Sequence, residues 1–251
     1  MVEELYITGA GVSAESGIPT FRGKDGFWTI GSKNYTPQEM ATRYMYQNNP
    51  EEFLIWYYKR FAKYRNVFPN KVHKWLSNKK LITQNIDGLD GKAGNKDYIA
   101  IHGRLDKVTV FHDQGLQVKL SNAPWDIVAQ ECPDAEDRDK LSKVLLNSFR
   151  IPSLTKKPEK MKSLKPFVLL FDEFYTNIYR MKEAEDWMQK ASKIVFLGTS
   201  FSVNITSIAL NYAISNNSLI EVIDPNPVDL ELKNINYFKM TAEEYINTIN
   251  F

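Results

Sequence analysis

The chain has 251 residues, of which 43% are hydrophobic, which is enough for one large domain with a smaller insert. Lysine and arginine number 32 against 30 acidic residues, so the net charge of +2 does not indicate nucleic acid or an anionic membrane as a partner. No apolar run approaches the ~18 residues of a membrane span, and the N-terminus lacks the pattern of a signal or transit peptide. The single cysteine excludes an intramolecular disulfide and is compatible with a reducing compartment, so we expect a cytoplasmic protein.

Short apolar runs recur along the chain, and each is followed by a glycine-bearing or polar turn. They cover residues 5–8, 80–84, 99–103, 167–171, 193–198 and 219–224. Continuous runs of this length predict buried strands of a parallel sheet. Helix-like stretches lie between several of them, and one opens with an Asn49 cap, Pro50 in its first turn and acidic residues next. This alternation predicts an α/β fold with a Rossmann-like, doubly wound parallel sheet.

The region from about residue 107 to 165 interrupts this alternation. A charged segment, CPDAEDRDKLSKVLLNSF, is followed by a basic segment that contains prolines. We interpret the region as a smaller inserted module followed by a linker, with a helical part at about 30–75 belonging to the same module. The basic run could contact an acidic partner, but a solvated loop is the favoured interpretation.

A glycine-rich segment, GAGVSAESGIPTFRG, follows the first predicted strand. Gly9 and Gly11 let the backbone turn tightly and approach a pyrophosphate, to which the amides opening the next helix can donate. An acidic group later in the chain should then hold an adenosine ribose, and Asp224 is the best candidate because it ends a late strand. A short glycine turn alone is equally compatible with a purely structural role.

Five motifs in one order resemble the sirtuins, the NAD-dependent protein deacylases. They are GAGVSAESGIPTFRG, TQNIDGLDGKAG, IHG, KPFVLLFDE and GTSFSV, and they extend the resemblance from Ile7 to about Ala242. The resemblance implies a single sirtuin-type catalytic domain over residues 1–251. It also implies NAD as cofactor and acyl-lysine proteins or peptides as partners.

The resemblance assigns the chemistry to His102 and Asn85. His102 would take a proton from a ribose hydroxyl, which a histidine of near-neutral pKa can do, and Asn85 would position the ribose and a water. Asp87, with the backbone of Ile86, would hold the nicotinamide carboxamide. Without the resemblance, a plain turn at 85–88 and a strand-end histidine would be the favoured explanation of these residues.

Further contacts follow from the same motifs. The dinucleotide would also touch Gly9, Ala10, Gly11, Ser13, Thr20, Phe21, Arg22, Gln84, Gly198, Thr199, Ser200, Asp224 and Ala242. The segment FVLLFDEFY resembles the strand that pairs with the substrate backbone, which implies contacts from Val168, Phe171 and Glu173. Asp172 stands where the family usually has glycine, so the detail of this pairing is open.

Tyr57 and Arg60 are similar to a pair in the sirtuin branch that removes malonyl, succinyl and glutaryl groups. Residues i and i+3 share a helix face, and an arginine fork binds a carboxylate in a bidentate manner. Thr20, where most deacetylases carry aspartate, favours the same branch, whereas bulky Tyr35 occupies a position that this branch keeps small. The helix is rich in aromatic and basic residues, so chance is an alternative explanation. We expect succinyl or malonyl groups, with acetyl as the alternative.

Sirtuins usually carry four cysteines that bind a structural zinc, but this chain has only Cys132. Zinc needs four ligands, and Cys132 with His112 does not suffice, so we predict no metal. The module must then be held by packing. The candidate residues are Trp125, Ile127, Val128, Leu141, Val144, Leu145 and Phe149.

Three other functions compete with the deacylase. An NAD glycohydrolase or ADP-ribosyltransferase of the same fold would use water or another nucleophile in place of the acyl oxygen. A second alternative is an NAD-sensing module without catalysis, which the presence of Asn85, Asp87 and His102 disfavours. A hydride-transfer dehydrogenase is disfavoured because no separate substrate domain is evident.

Overall fold

A computed structural model describes residues 3–20, 35–60 and 62–249. Within the chain, contacts define two compact units. The first unit is formed by Met1–Thr20, Val67–His102 and Tyr179–Phe251. The second unit is formed by Phe21–Asn66 and Gly103–Ile178, and it contains most of the residues that we assigned to the inserted module.

A six-stranded sheet forms the first unit, with the order β3-β2-β1-β7-β8-β9. Numbered along the chain, its strands are β1 (Glu4–Thr8), β2 (Leu81–Thr83), β3 (Ile99–Ala100), β7 (Lys193–Leu197), β8 (Leu219–Ile223) and β9 (Ile235–Phe238). Every neighbouring pair is parallel. The order reverses direction beside β1, as in a doubly wound Rossmann-like sheet, and the predicted fold class is confirmed.

Helices lie between or after these parallel strands along the chain. They are α1 (Gly11–Ala14), α5 (Lys71–Trp75), α6 (Leu89–Lys92), α9 (Met181–Lys190), α10 (Asn204–Ser215) and α11 (Ala242–Ile249). In α9 the buried residues are Met181, Ala184, Trp187 and Met188, and this spacing places them on one apolar face that packs inward. The central strands β1 and β7 are almost wholly buried, because a sheet covered by helices on both faces excludes water from both sides.

A three-stranded sheet with the order β5-β4-β6 lies in the second unit, and its pairs are antiparallel. Its strands are β4 (Gly103–Val110), β5 (Ser121–Asn122) and β6 (Leu164–Val168). Its helices are α2 (Pro37–Met40), α3 (Arg43–Asn48), α4 (Pro50–Arg60), α7 (Trp125–Glu131) and α8 (Arg138–Ser148). The Asn49 side chain accepts a hydrogen bond from the Glu52 amide, as the predicted cap of α4 requires.

One predicted strand was wrong in extent and place. The run at 167–171 does not belong to the parallel sheet, because β6 pairs antiparallel with β4 and ends at Val168. Beyond this point the chain leaves the sheet: the Leu170 amide donates to the Glu173 carboxylate, and the Phe171 amide donates to the Ala41 carbonyl. In contrast, β9 was not predicted, because its sequence INYF is short and mixes polar with apolar residues.

Aromatic packing holds the part of the second unit where a metal was considered. Trp125 is buried, donates from Nε1 to the Leu105 carbonyl at 2.7 Å, and lies 4.9 Å from the Phe149 ring. Val128, Leu141 and Leu145 are also fully buried. Ile127 was wrongly assigned to this core: it is 52% exposed, because it lies on the outer face of α7. Within the described ranges, no group of three or more His, Cys, Asp or Glu residues is placed to hold a metal.

The helices of the described residues are all too short or too polar to cross a membrane. The basic segment after α8 lies against acidic side chains of its own unit. Lys160 pairs with Asp113 at 2.6 Å, and Lys162 pairs with Glu159 at 2.8 Å. These pairs are compatible with the solvated-surface interpretation of the basic run.

Candidate active site

The carboxyl ends of neighbouring parallel strands carry the predicted catalytic and dinucleotide residues. Gly9 follows β1, Gln84 and Asn85 follow β2, and His102 follows β3. Gly198 and Thr199 follow β7, and Asp224 follows β8. Ligands of open α/β sheets bind at this edge, where the strand order reverses. The fold therefore gathers residues that are more than 200 positions apart in the sequence.

The glycines allow two strand-end turns to approach each other closely. The Gly11 amide donates to the Gly198 carbonyl at 2.9 Å, and the Gly9 amide donates to the Leu197 carbonyl at 3.0 Å. A Cβ atom at Gly9 would lie 2.6 Å from the Gly198 oxygen, and Gly198 has a φ of +58°. Only glycine fits such contacts without displacement of the backbone. Because α1 has only four residues, the site depends on this backbone approach more than on a helix dipole.

Ser13, Asn85 and Asp87 form one hydrogen-bonded cluster. The Asn85 Nδ2 group donates to the Gly9 carbonyl and to Ser13 Oγ, each at 3.0 Å, and Ser13 Oγ donates to Asp87 Oδ2 at 2.7 Å. The other oxygen of Asp87 accepts the Leu89 amide at 2.9 Å. Asn85 and Ser13 are buried, whereas Asp87 is half-buried. This cluster fixes an amide and a carboxylate side by side at the sheet edge.

Gln84 joins two further predicted residues to this cluster. Its Nε2 group donates to Thr199 Oγ1 at 3.1 Å, and its backbone carbonyl accepts from His102 Nδ1 at 2.9 Å. With the proton on Nδ1, the lone pair of the imidazole is on Nε2, which is the tautomer that a general base requires.

Burial lowers the pKa of His102 to about 4, and the hydrogen bond to Gln84 opposes this only in part. The residue as a whole is half-buried, but the surroundings of its imidazole exclude enough water to disfavour the imidazolium. The sequence predicted a near-neutral pKa for His102, and burial places the pKa lower than that prediction. A neutral His102 at every physiological pH remains able to accept a proton.

Sequence reasoning missed a layer of polar residues beneath the cluster. Thr83 Oγ1 accepts from Thr8 Oγ1 at 2.9 Å and from the Asn85 amide at 3.2 Å, and it also bonds to the Asp90 carboxyl. His73 is buried, with Nε2 3.4 Å from Ser13 Oγ. The sequence does contain Asp90, the second aspartate of NIDGLD, but only the structure shows that it is buried, which is unusual for an acid without a polar partner.

The remaining predicted dinucleotide residues are less distinctive. Asp224 follows β8, but its Oδ1 accepts the Asn226 amide at 2.8 Å, as in a simple Asx turn. Ser200 is exposed and pairs with Ser202, and Ala242 is buried at the start of α11. Of the other predicted dinucleotide contacts, Ala10, Thr20 and Ile86 belong to the described residues. Phe21 and Arg22 lie outside them.

Glu173 is held by internal partners in the second unit. Its carboxylate accepts from Lys165 Nζ at 3.0 Å and from Arg43 Nη1 at 2.9 Å, and all three side chains are largely buried. Despite its burial, the two cations hold the pKa of Glu173 below its ordinary value. Both carboxylate oxygens are thus used within the unit, which indicates a structural role.

The neighbours of Glu173 differ in exposure. Val168 is buried at the end of β6, whereas Phe171 is 56% exposed. Asp172, which stands where the sirtuins usually have glycine, accepts the Arg43 amide at 2.5 Å and the Tyr44 amide at 2.9 Å. The departure from glycine therefore provides a carboxylate for the first amides of α3.

Tyr57 and Arg60 lie on one face of α4. Tyr57 is 2% exposed, with its ring 4.6 Å from that of Phe53 and 5.0 Å from that of Trp56. Burial, reinforced by the charge of Glu173, raises the pKa of Tyr57, so its hydroxyl remains a proton donor. Arg60 is half-buried, and its guanidinium lies 5.7 Å from the Trp56 ring. Burial lowers the pKa of Arg60, which indicates a partly desolvated cation.

Comparison with known proteins identifies the class to which this arrangement belongs. The family model "Sir2 family" matches residues 9–205. An NAD-dependent protein deacylase of Caldanaerobacter subterraneus subsp. tengcongensis is 31% identical, over 96% of this chain and 90% of that protein. One of Bacteroides thetaiotaomicron is 29% identical, over 98% of this chain and 95% of that protein. A solved Sir2 homologue in complex with NAD matches with a TM-score of 0.72 and 29% identity, covering 98% of this chain and 87% of that one.

The chain belongs to the Sir2 family. The predicted family is therefore confirmed, and the matched range contains all the described residues of the Ser13, Asn85 and Asp87 cluster.

Proposed function

We propose that the chain is an NAD-dependent protein-lysine deacylase, and that its preferred acyl group carries a carboxylate. The observation that carries the proposal is the cluster of Ser13, Asn85 and Asp87 beside His102 at the sheet edge of a Sir2-family chain. The curated relatives of this chain bear the name NAD-dependent protein deacylase. These relatives support both the reaction and the use of NAD.

The residues of the first unit fit a dinucleotide with an amide-bearing ring. The close approach of Gly9 and Gly198 leaves no side chain on the turns at the strand ends. The Asp87 carboxylate can accept from a carboxamide N–H, and the Ile86 backbone lies beside it. NAD, when bound, would supply an electrophilic ribose carbon with nicotinamide as the leaving group. The residues of the chain would orient that ribose and move protons around it.

His102 is the proposed general base and Asn85 the proposed positioning group. The Gln84 carbonyl holds the His102 ring by Nδ1, which directs the basic Nε2 outward from this bond. A ribose hydroxyl that donates to Nε2 becomes a better nucleophile toward the acyl intermediate. The Asn85 amide, bonded to the Gly9 carbonyl and Ser13, has its orientation set before any ligand arrives.

Tyr57 and Arg60 support an acyl group with a negative end. They share a helix face at i and i+3, and the second unit offers a hydroxyl donor and a partly desolvated guanidinium there. A carboxylate that reached both groups would form charge-assisted hydrogen bonds with them and would compensate the desolvation of Arg60 by its opposite charge. Val168, the last residue of β6, and Phe171, three residues further along the chain, are the proposed contacts for the peptide backbone and its neighbouring side chains.

The test is one panel of acetyl-, malonyl- and succinyl-lysine peptides with NAD, in which the deacylated peptide and nicotinamide are measured. We expect Arg60→Met to raise KM for the succinyl peptide at least tenfold and to leave KM for the acetyl peptide within about twofold. Lys59→Met is the matched control, because Lys59 is a neighbouring cation on α4 that pairs with Glu136. Lys59→Met should change KM for neither the succinyl nor the acetyl peptide.

Two results would contradict the proposal at different levels. Equal loss on all peptides in Arg60→Met would assign Arg60 a structural role and remove the carboxylate preference. Equal NAD consumption with and without acyl-peptide would support an NAD glycohydrolase and overturn the deacylase itself.

A further inference from the structure

The Ser13 hydroxyl lies close to three polar side chains, but it has only one proton to donate in a hydrogen bond. Its Oγ is 2.7 Å from Asp87 Oδ2, 3.0 Å from Asn85 Nδ2 and 3.4 Å from His73 Nε2. The Nδ2 group of Asn85 can only donate, so it occupies one lone pair of the hydroxyl oxygen. The single Ser13 proton must then choose between Asp87 and any second acceptor.

His73 is oriented as that second acceptor. The Asn70 side chain has a fixed orientation, because its Nδ2 donates to the Val12 carbonyl at 2.8 Å and its Oδ1 accepts the Val72 amide at 3.0 Å. His73 Nδ1 lies 2.9 Å from this same Oδ1, so Nδ1 must carry a proton. The Asn70 amide also points at Nδ1, but at 3.4 Å, and the shorter contact decides the tautomer.

The neutral form of His73 then presents a lone pair to Ser13. The ring is fully buried, and this burial lowers the pKa of His73, although the nearby charge of Asp87 opposes the effect. Asp87 is the charged group that acts on the ring, and Ser13 and Asn70 are its polar neighbours. With Nδ1 protonated and the ring neutral, Nε2 is an acceptor that points at Ser13 Oγ.

We propose that the Ser13 hydroxyl is a two-position donor, and that His73 is the positioning residue that receives its hydrogen bond when the nicotinamide carboxamide occupies Asp87. The inference rests on the proposed role of Asp87 in NAD binding. Without ligand, the hydroxyl donates to Asp87, which is the shorter contact. A ligand amide that donates to the same carboxylate oxygen weakens the bond from Ser13, and rotation of the hydroxyl toward His73 then leaves no buried donor unsatisfied.

Two substitutions at one position separate this role from a structural one. In His73→Gln the side-chain amide reaches the position of Nε2 and keeps an acceptor for Ser13. In His73→Asn the shorter amide keeps only the position of Nδ1 and hence the contact with Asn70. A residue that merely caps α5 should tolerate Asn better than Gln, whereas the proposed role requires the reverse order.

Titration calorimetry with NAD and with ADP-ribose measures the outcome. ADP-ribose lacks nicotinamide, so it reports on the rest of the site. We expect His73→Asn to raise Kd for NAD about tenfold and to leave Kd for ADP-ribose within about twofold, because one buried hydrogen bond is lost. His73→Gln should stay within about threefold of the wild type for both ligands. Equal effects of the two substitutions, or parallel losses of NAD and ADP-ribose affinity, would overturn the proposal.

A double mutant and a spectroscopic measurement complete the test. Adding Ser13→Ala to His73→Asn removes the competing donor, so the double variant should bind NAD as Ser13→Ala does alone. Nitrogen NMR of the wild type should find the proton of His73 on Nδ1, and a proton on Nε2 would contradict the proposal even if His73→Asn does not fold. A wild type that binds neither ligand would instead contradict the proposed NAD site itself.

Discussion

At the scale of single residues, His102 illustrates how burial tunes a base. The Gln84 carbonyl selects the tautomer and the surrounding protein lowers the pKa to about 4, so the ring is neutral wherever the enzyme would work. Because its folded pKa lies below the unfolded value of ~6.5, His102 contributes stability above pH 6.5, which is lost as the pH falls toward 4.

We expect His102→Ala to lower kcat at least 100-fold, because the proton acceptor for the ribose hydroxyl is removed. Affinity for NAD should stay within a few-fold. Steady-state kinetics with a saturating acyl-peptide, together with calorimetry, measure both. In the wild type, the imidazole resonances of His102 should titrate with a midpoint below pH 5, and a midpoint near 6.5 would contradict the burial argument.

Asp90 shows the opposite shift. It is 1% exposed, its Oδ1 atom has no hydrogen-bond partner within the described residues, and Asp87 is close. Burial, followed by the charge of Asp87, raises the pKa of Asp90 to about 7. Since the folded pKa exceeds the unfolded value of ~3.9, its contribution to stability is complete below pH 4 and is lost as the pH rises toward 7.

Asp90→Asn should therefore flatten the decline of stability with pH. We expect the fall in the free energy of unfolding between pH 5 and pH 8 to be smaller in the variant by about 2 to 3 kcal/mol. Urea denaturation at both pH values measures this difference, with Asp139→Asn, an exposed carboxylate of α8, as the control. Identical slopes for Asp90→Asn and the wild type would exclude a protonated Asp90 at neutral pH.

At the scale of elements, α7 and α8 each bury apolar side chains in the second unit. Leu145 of α8 is fully buried, whereas Ile127 of α7 is 52% exposed, although both are large aliphatic residues. We expect Leu145→Ala to cost about 2 to 5 kcal/mol of stability and Ile127→Ala to stay within about 0.5 kcal/mol. Urea denaturation measures both, and equal costs would contradict the assigned orientation of α7.

At the scale of the whole molecule, the two units divide the proposed recognition. The described residues proposed for NAD all lie in the first unit, and those proposed for the acyl-peptide all lie in the second. Substitutions in one unit should therefore affect only one ligand. We expect Arg60→Met to leave Kd for ADP-ribose within about twofold while it raises KM for the succinyl peptide. Calorimetry with ADP-ribose checks this, and a tenfold loss in Arg60→Met would show that the two functions are not separable.

The sequence alone determined the fold class, because apolar runs that alternate with helical stretches can bury themselves only as a covered parallel sheet. The resemblance of its motifs to the sirtuins, and not their spacing alone, predicted site roles for Asn85, Asp87 and His102, which follow β2 and β3 in the structure. The sequence could not place residues 167–171 or the exposed Ile127, because pairing partners and helix rotation depend on distant contacts. The tertiary structure alone decided the depth of burial that sets the pKa of His102 and of Asp90. It also decided the approach of His73 to Ser13, 60 residues apart, which no local pattern encodes.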